Sequence, residues 1–387
     1  MPPGEGPTIY ERAQDDATWL ADGRAGPRVL RFGLISHRQR WAHRLWPAAQ
    51  VLAAHLDAHP EHARGRAVLE VGAGAALPSV VAGLLGACAV VTSDWPDARM
   101  LANTAANLNA NLAPEMHEMH QRVMVVGYDW NTPPHPLLGA LDAIVSGGAR
   151  AAPCGVRVLD LALDLGFDRG AEAHILPEQP RRFDLILMSD LLYECEHEAL
   201  LRAIVCCLSR SRPVGAAPGA EPRAVPVGAS PHGSRAVPGS ASPHEPRAVP
   251  GGASPHEPRV LLTYQVHDRC QAARQGAFFT LVPAHGLVAT QLRSVDVGRQ
   301  FEDKEEEAAE EAEAAEGVDD EQDDITRQVQ LWELTWAPPG APTAPSPEAD
   351  DENVSDAADA PLVVGLVRVV RSRATGVATG RSSWRFV

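Results

Sequence analysis

Short apolar runs alternate with helically spaced segments along most of the chain. Ala67 to Val71 (AVLEV) reads as a buried strand, and Pro78 to Leu85 as a short helix. Ala87 to Asp94 is a second strand. Pro96 and Asp97 then open a helix to about Leu112, with Met100, Leu101, Ala105, Leu108 and Leu112 at helical spacing. Upstream, Pro47 suits the first turn of a helix whose Val51, Leu52 and Leu56 share a face. A third strand lies in QRVMVVGYDW, ending near Asp129. Further on, RFDLILMSD is a strand and EHEALLRAIVCCLSR a helix. RVLLTYQVHD is another strand, followed by a helix around Cys270 to His285. LVATQLRSVDV and TRQVQLWELTW complete the set. This alternation predicts an α/β fold with a doubly wound, mostly parallel, seven-stranded sheet.

Two stretches interrupt the pattern. Residues 131–180 are apolar without a clear period, and residues 211–258 are rich in proline and glycine; both read as disordered insertions. The second contains three successive twelve-residue units, AVPVGASPHGSR, AVPGSASPHEPR and AVPGGASPHEPR, from Ala224 to Arg259. The units are too short and too polar to stack as a solenoid, so a flexible linker is expected. Their histidines His232, His244 and His256 are spaced along a segment that nothing orders, and no metal site is expected there.

The net charge of −16 is concentrated in one place. Between Glu302 and Asp324 there are fourteen acidic residues and one lysine, a net of −13 that leaves −3 for the rest. A nearly neutral globular part argues against a nucleic-acid surface. Lys304 is the only lysine, which points to a compositional bias and forbids reading individual arginines as phosphate ligands. The six cysteines show no CxxC pair and no metal-ligand spacing. The first residues lack a basic region followed by an apolar core, and no apolar run approaches the ~20 residues of a membrane span. A cytoplasmic monomer that contacts neither membrane nor nucleic acid is expected.

The chemistry is suggested first by VLEVGAGAALPSVV, Val68 to Val81. A strand, two spaced glycines and a helix make a turn that lets backbone approach a ligand at the helix N-terminus. The third glycine of the dinucleotide fingerprint is absent: Leu77 and Pro78 stand there. Asp94 ends the second strand twenty residues after Gly74, where a carboxylate can accept from ribose hydroxyls. That arrangement suits either a nicotinamide dinucleotide or S-adenosylmethionine. Glu70 before the glycines favours the methyl donor. Asp129 and Trp130 can offer an acceptor to an adenine amino group and a flat surface beside the ring. Ser189, Asp190 and Tyr193 lie at the carboxyl edge of the fourth strand, beside the expected switch point.

Taken together, LEVGAGAALPSVVAGLLGA, VTSDWPDARMLANTAANL, FDLILMSDLLYECEHEALL and WAHRLWPAAQVLAAHL resemble the seven-β-strand methyltransferases of family 16. FED with its acidic run before QVQLWELTW adds to the likeness. The resemblance is to the nicotinamide-N-methyltransferase-like branch, fungal methyltransferases of translation elongation factor 1-alpha. It implies a Rossmann-like methyltransferase domain over residues 31–336, with an N-terminal extension over 1–30 and a largely disordered tail over 337–387. It also implies S-adenosylmethionine as cofactor, held by Trp46, Gly72, Ala73, Gly74, Asp94, Trp130 and Ser189, and elongation factor 1-alpha as protein substrate. No metal is implied.

An amine acceptor must be neutral to attack an activated methyl. An α-amino group with a pKa of ~7.7–8 is partly neutral at cellular pH, whereas a lysine near ~10.4 is not. Asp190 and Tyr193 are the candidates to steer such an amine and carry its charge. The alternative for both is structural, with Asp190 capping the next helix and Tyr193 packing on it.

Overall fold

The computed structural model describes residues 7–12, 27–35, 43–112, 122–146, 157–159, 180–193, 196–210, 257–267, 269–297 and 325–339. Its first element is an antiparallel ribbon of β1 (Thr8–Glu11) and β2 (Val29–Phe32). The main sheet follows, built from β3 (Ala67–Val71), β4 (Ala89–Asp94), β5 (Val123–Gly127), β6 (Arg157–Leu159), β7 (Leu185–Ser189), β8 (Arg259–Gln265), β9 (Leu287–Asp296) and β10 (Gln328–Trp336). Their spatial order is β6-β5-β4-β3-β7-β8-β10-β9. Strands β3 to β8 pair in parallel, and β10 runs antiparallel between β8 and β9.

The near-continuous apolar runs of the parallel strands follow from burial on both faces. Successive side chains alternate between two cores. Val68, Val90, Val125, Leu187 and Leu261 face one core, shared with α1 (Pro47–Ala58), α2 (Leu77–Leu84) and α3 (Ala98–Asn111). Leu69, Val91, Val126, Ile186 and Leu262 face the other, shared with α4 (His135–Val145), α5 (His197–Cys207) and α6 (Arg269–Leu281). The doubly wound, mostly parallel architecture is therefore present, with all seven expected strands and an additional short one at the edge.

That additional strand, β6, arises within residues 131–180, as does α4, so part of the expected insertion belongs to the folded domain. Leu137, Leu138, Leu141 and Ile144 give α4 a buried face. Pro136 in its first turn and Gly139 in its middle break the propensity pattern that would have marked it.

The N-terminal boundary also shifts. Residues 7–12 are not a detached extension, because β1 pairs with β2 across the expected limit at residue 30. The ribbon is fastened by α3, whose Asn103, Asn107 and Asn111 recur every fourth residue on one face. Asn111 accepts from the Arg31 N–H at 2.8 Å and donates to its carbonyl at 2.7 Å. Asn107 accepts from the Gly33 N–H at 2.7 Å, and both Asn103 and Asn107 donate to the Gly33 carbonyl. On the other side, Arg12 grips Asp57 of α1 through two nitrogens, at 2.5 and 3.0 Å, with side chains only 1% and 3% exposed.

Arg259 closes the third repeat unit and also begins β8. It is buried, and its guanidinium meets Glu333 of β10 at 2.5 Å. The repeats before Glu257, the acidic run at 302–324 and the tail after residue 339 lie outside the described residues. The remainder of the segment at 131–180 lies outside them too, apart from residues 131–146, 157–159 and 180.

From β3 the chain steps through β4, β5 and β6 to one side, then crosses to β7 on the other side. The carboxyl ends of β3 and β7 therefore flank the crevice in which such sheets receive ligands.

The Arg12–Asp57 pair gives a direct test of the ribbon's membership in the domain. Removing one partner of a buried ion pair strands the other charge, at a cost of ~3–5 kcal/mol. Asp57→Ala should lower the unfolding free energy by that order in chemical denaturation. A loss below ~1 kcal/mol would show the ribbon to be only loosely attached.

Candidate active site

The carboxyl ends of β3, β4, β5 and β7, with the segment after β8 and the approach to α1, enclose a cavity of about 360 Å³. All ten residues singled out from the sequence line it. Trp46 comes from the N-terminus of α1, Gly72, Ala73 and Gly74 from the turn after β3, and Asp94 from the end of β4. Asp129 and Trp130 follow β5, Ser189 ends β7, and Asp190 and Tyr193 follow it.

The turn after β3 is tightly specified. Gly72, Gly74 and Ala76 have φ of 62°, 52° and 65°. A Cβ on Gly72 would sit 2.4 Å from Leu191 Cδ2, so both conformation and space demand glycine. A Cβ on Gly74 would meet no protein atom within 4 Å, leaving a bare backbone surface on the cavity wall.

Asp94 is 9% exposed, and both its oxygens receive backbone N–H groups, from Gly74 at 2.6 Å and from Trp95 at 2.7 Å. The carboxylate is thus locked to the glycine turn while still facing the cavity. Asp129 accepts from the Asn131 backbone at 2.9 Å and so also shapes its own turn. Beside it, the Tyr128 hydroxyl donates to the Thr132 carbonyl at 2.9 Å, and burial raises its pKa.

Glu70 does not reach the cavity. It is fully buried in β3 and accepts from the Ser79 N–H at 2.9 Å, in the first turn of α2. Since Ala76 at the N-cap has no side-chain acceptor, Glu70 supplies the cap from a neighbouring strand. Its other oxygen is buried with no hydrogen-bond partner among the described residues. Burial raises its pKa to about 8, with the nearby charge of Asp94 adding to the shift.

Asp190 stands directly after β7 with φ 60°, a left-handed conformation that Asp tolerates better than most side chains. It does not cap α5, whose N-cap is Glu196. Instead its Oδ1 accepts from the Gln265 N–H at 3.2 Å and its Oδ2 lies 2.7 Å from His267 Nε2. His267 itself lines the cavity, its ring centroid 5.0 Å from that of Trp46.

Sequence reasoning passed over His267, Trp95, Tyr128, Met100, Glu196 and Gln271 on the cavity wall. Trp95 and Tyr128 adjoin residues that were chosen, and His267 stands at the end of the expected strand RVLLTYQVHD, at the same carboxyl edge. Asp94, Asp129, Asp190 and Glu196 set four carboxyl groups around the cavity against the guanidinium of Arg44, a balance that suits a cationic guest.

Residues 35–146 match the family model described as lysine methyltransferase. The chain is 36% identical over 177 residues to the protein N-terminal and lysine N-methyltransferase EFM7 of Eremothecium gossypii, covering 45% of this chain and 53% of that one. It is 30% identical over 185 residues to the protein of the same name in Kluyveromyces lactis, covering 45% and 56% respectively. With that of Neurospora crassa it shares 36% over 180 residues, covering 46% and 52%. The chain thus spans about half the length of the curated relatives it matches.

The raised pKa of Glu70 has a signed consequence for stability. The folded state retains a proton that the unfolded chain releases above its ordinary value of 4.5, so this group's contribution is lost as pH rises towards about 8. Glu70→Gln keeps the acceptor for Ser79 without the charge. Relative to this variant, the wild type should lose stability between pH 5 and 8 by up to ~1.4 kcal/mol per pH unit in urea unfolding. Parallel profiles for the two proteins would mean that Glu70 titrates normally.

Proposed function

We propose that the chain, whose residues 35–146 match the lysine methyltransferase model, methylates amino groups of a protein with S-adenosylmethionine as donor. One observation carries this reading. The glycine turn with its locked Asp94 opens into the same cavity as Asp190 and Tyr193, so donor and acceptor ends share one chamber.

The residues present fit the donor. Gly74 leaves open space where any other residue would project a Cβ, and Asp94 presents a fixed carboxylate beside it. Asp94 would accept the ribose hydroxyl protons, Asp129 and Trp130 would receive the adenine, and Trp46, Gly72, Ala73 and Ser189 would line the remainder. When bound, S-adenosylmethionine supplies an electrophilic sulfonium methyl. The protein's share is then proximity, orientation and control of charge. The carboxylate of Asp190 attracts the incoming ammonium and balances the charge of the alkylated product, and Tyr193 borders its path. The ammonium must first release a proton to solvent, and the neutral amine then takes the methyl as S-adenosylhomocysteine leaves, so an N-terminal amine needs less help than a lysine.

The names of the relatives support a protein acceptor, at an N-terminal amine, a lysine or both. We take elongation factor 1-alpha as the substrate on the resemblance of the sequence motifs to the fungal branch. The acidic run at 302–324 is suited to drawing in a basic protein by long-range attraction.

Labelled methyl groups added to an extract lacking this protein should appear, on its addition, in a single prominent protein band identified as elongation factor 1-alpha. Label in nicotinamide and in no protein would replace the protein-substrate reading with a small-molecule one. Asp94→Ala should weaken S-adenosylhomocysteine binding by roughly 2–4 kcal/mol in calorimetry, the loss of a carboxylate accepting two hydrogen bonds. Unchanged affinity would remove Asp94 from the site.

A further inference from the structure

We propose that His267 is a positioning residue, whose Nε2–H holds the Asp190 carboxylate in the orientation that receives the acceptor ammonium; this rests on the amine-methyltransferase reading above. An ionised carboxylate can only accept, so at 2.7 Å the proton of this contact belongs to His267 Nε2. The backbone of Asp190 is separately fixed, its N–H donating to the Thr263 carbonyl at 2.7 Å. What remains free is rotation of the carboxylate. Gln265 restrains it through a longer contact of 3.2 Å, and His267 through the shorter one.

His267 is in turn held in place from several elements. Trp46 packs against its ring, and α1 behind Trp46 is tied to β8 by Thr263 Oγ1 donating to the Ala48 carbonyl at 2.9 Å. Gln265, two residues before His267, donates to the Thr326 carbonyl at 2.7 Å and receives Gln275 from α6 at 3.3 Å on its own carbonyl. The His267 and Asp190 side chains are 16% and 9% exposed, and both line the cavity rather than the interior of a core. A hydrogen bond from the ring fixes which lone pairs of Asp190 face the guest.

The contact couples two segments 77 residues apart in sequence, one ending β7 and the other following β8. The test separates the two things His267 offers, a donor and a ring. His267→Phe keeps the ring against Trp46 and removes the donor. His267→Gln supplies an amide N–H near the position of Nε2 and removes the ring. With an N-terminal peptide of elongation factor 1-alpha as acceptor, H267F should lose about 10- to 100-fold in kcat/KM. H267Q should recover most of that loss. Both should bind S-adenosylhomocysteine within about threefold of wild type in calorimetry, because no residue assigned to the cofactor is itself replaced. Long-range proton–nitrogen NMR of the cofactor-free protein, with H267Q assigning the signal, should find the His267 proton on Nε2.

Several results would overturn the proposal. They are equal losses in H267F and H267Q, no loss in either, a fall in cofactor affinity that matches the kinetic loss, or a neutral ring protonated on Nδ1. Wild-type protein that binds S-adenosylhomocysteine yet methylates no peptide amine would instead remove the functional reading, and the role of Asp190 with it.

Discussion

The ligand end of the sheet is set by a lack of room between the exits of two adjacent strands. Strands β3 and β7 are hydrogen-bonded neighbours, and Leu191, just past β7, leaves only 2.4 Å to a Cβ on Gly72, just past β3. The first strand must therefore turn away at once, on glycines with positive φ, and this aims the Gly74 N–H at Asp94 at the end of β4. Two of the four carboxyl groups at the site, Asp94 and Asp190, are placed by these strand exits. Asp94 is gripped by the turn that β3 is forced to make, and Asp190 occupies the left-handed step that lets the chain leave β7. Position follows from packing, and chemistry is then placed on positions that packing has made rigid.

Local order made much of this legible in the sequence. The strands carry their own signal, because burial on both faces turns each into a short apolar run, and the residues after such runs necessarily gather at one edge. Gly72, Gly74, Asp94, Asp129, Trp130, Ser189, Asp190 and Tyr193 could be assembled on one cavity from local order, whereas Trp46 and Ala73 were added by the family resemblance. The features that escaped are those defined by a distant partner. Pairing of Asp190 with His267 spans the repeat-bearing segment, and no spacing rule connects them. Glu70 reads as part of a ligand motif, yet it serves α2 as a cap borrowed from a strand. The Asn103, Asn107 and Asn111 series looks like weak helix composition until the ribbon supplies backbone groups for it to bind.

That asparagine series also shows how an unremarkable helix can complete a sheet-like backbone. Strand β2 is paired on one side by β1 alone, and beyond it there is no further strand of the ribbon among the described residues. Amide side chains at every fourth residue offer both an acceptor and a donor, so they satisfy N–H and carbonyl groups at Arg31 and Gly33 as a neighbouring strand would. The helix does this with the face it turns to the ribbon, while Leu101, Leu108 and Ala105 serve the core. With the Arg12–Asp57 pair on α1, this helix joins an otherwise marginal ribbon to the domain.

Arg259 belongs at once to a repeat and to a strand. It ends the third twelve-residue unit, and as the first residue of β8 it meets Glu333. The two preceding units end in the same residue type, at Arg235 and Arg247. A chain one unit shorter would therefore still bring an arginine to the first position of β8, opposite Glu333. The phase of the repeat, and not only its composition, is thus matched to the buried ion pair that begins the strand.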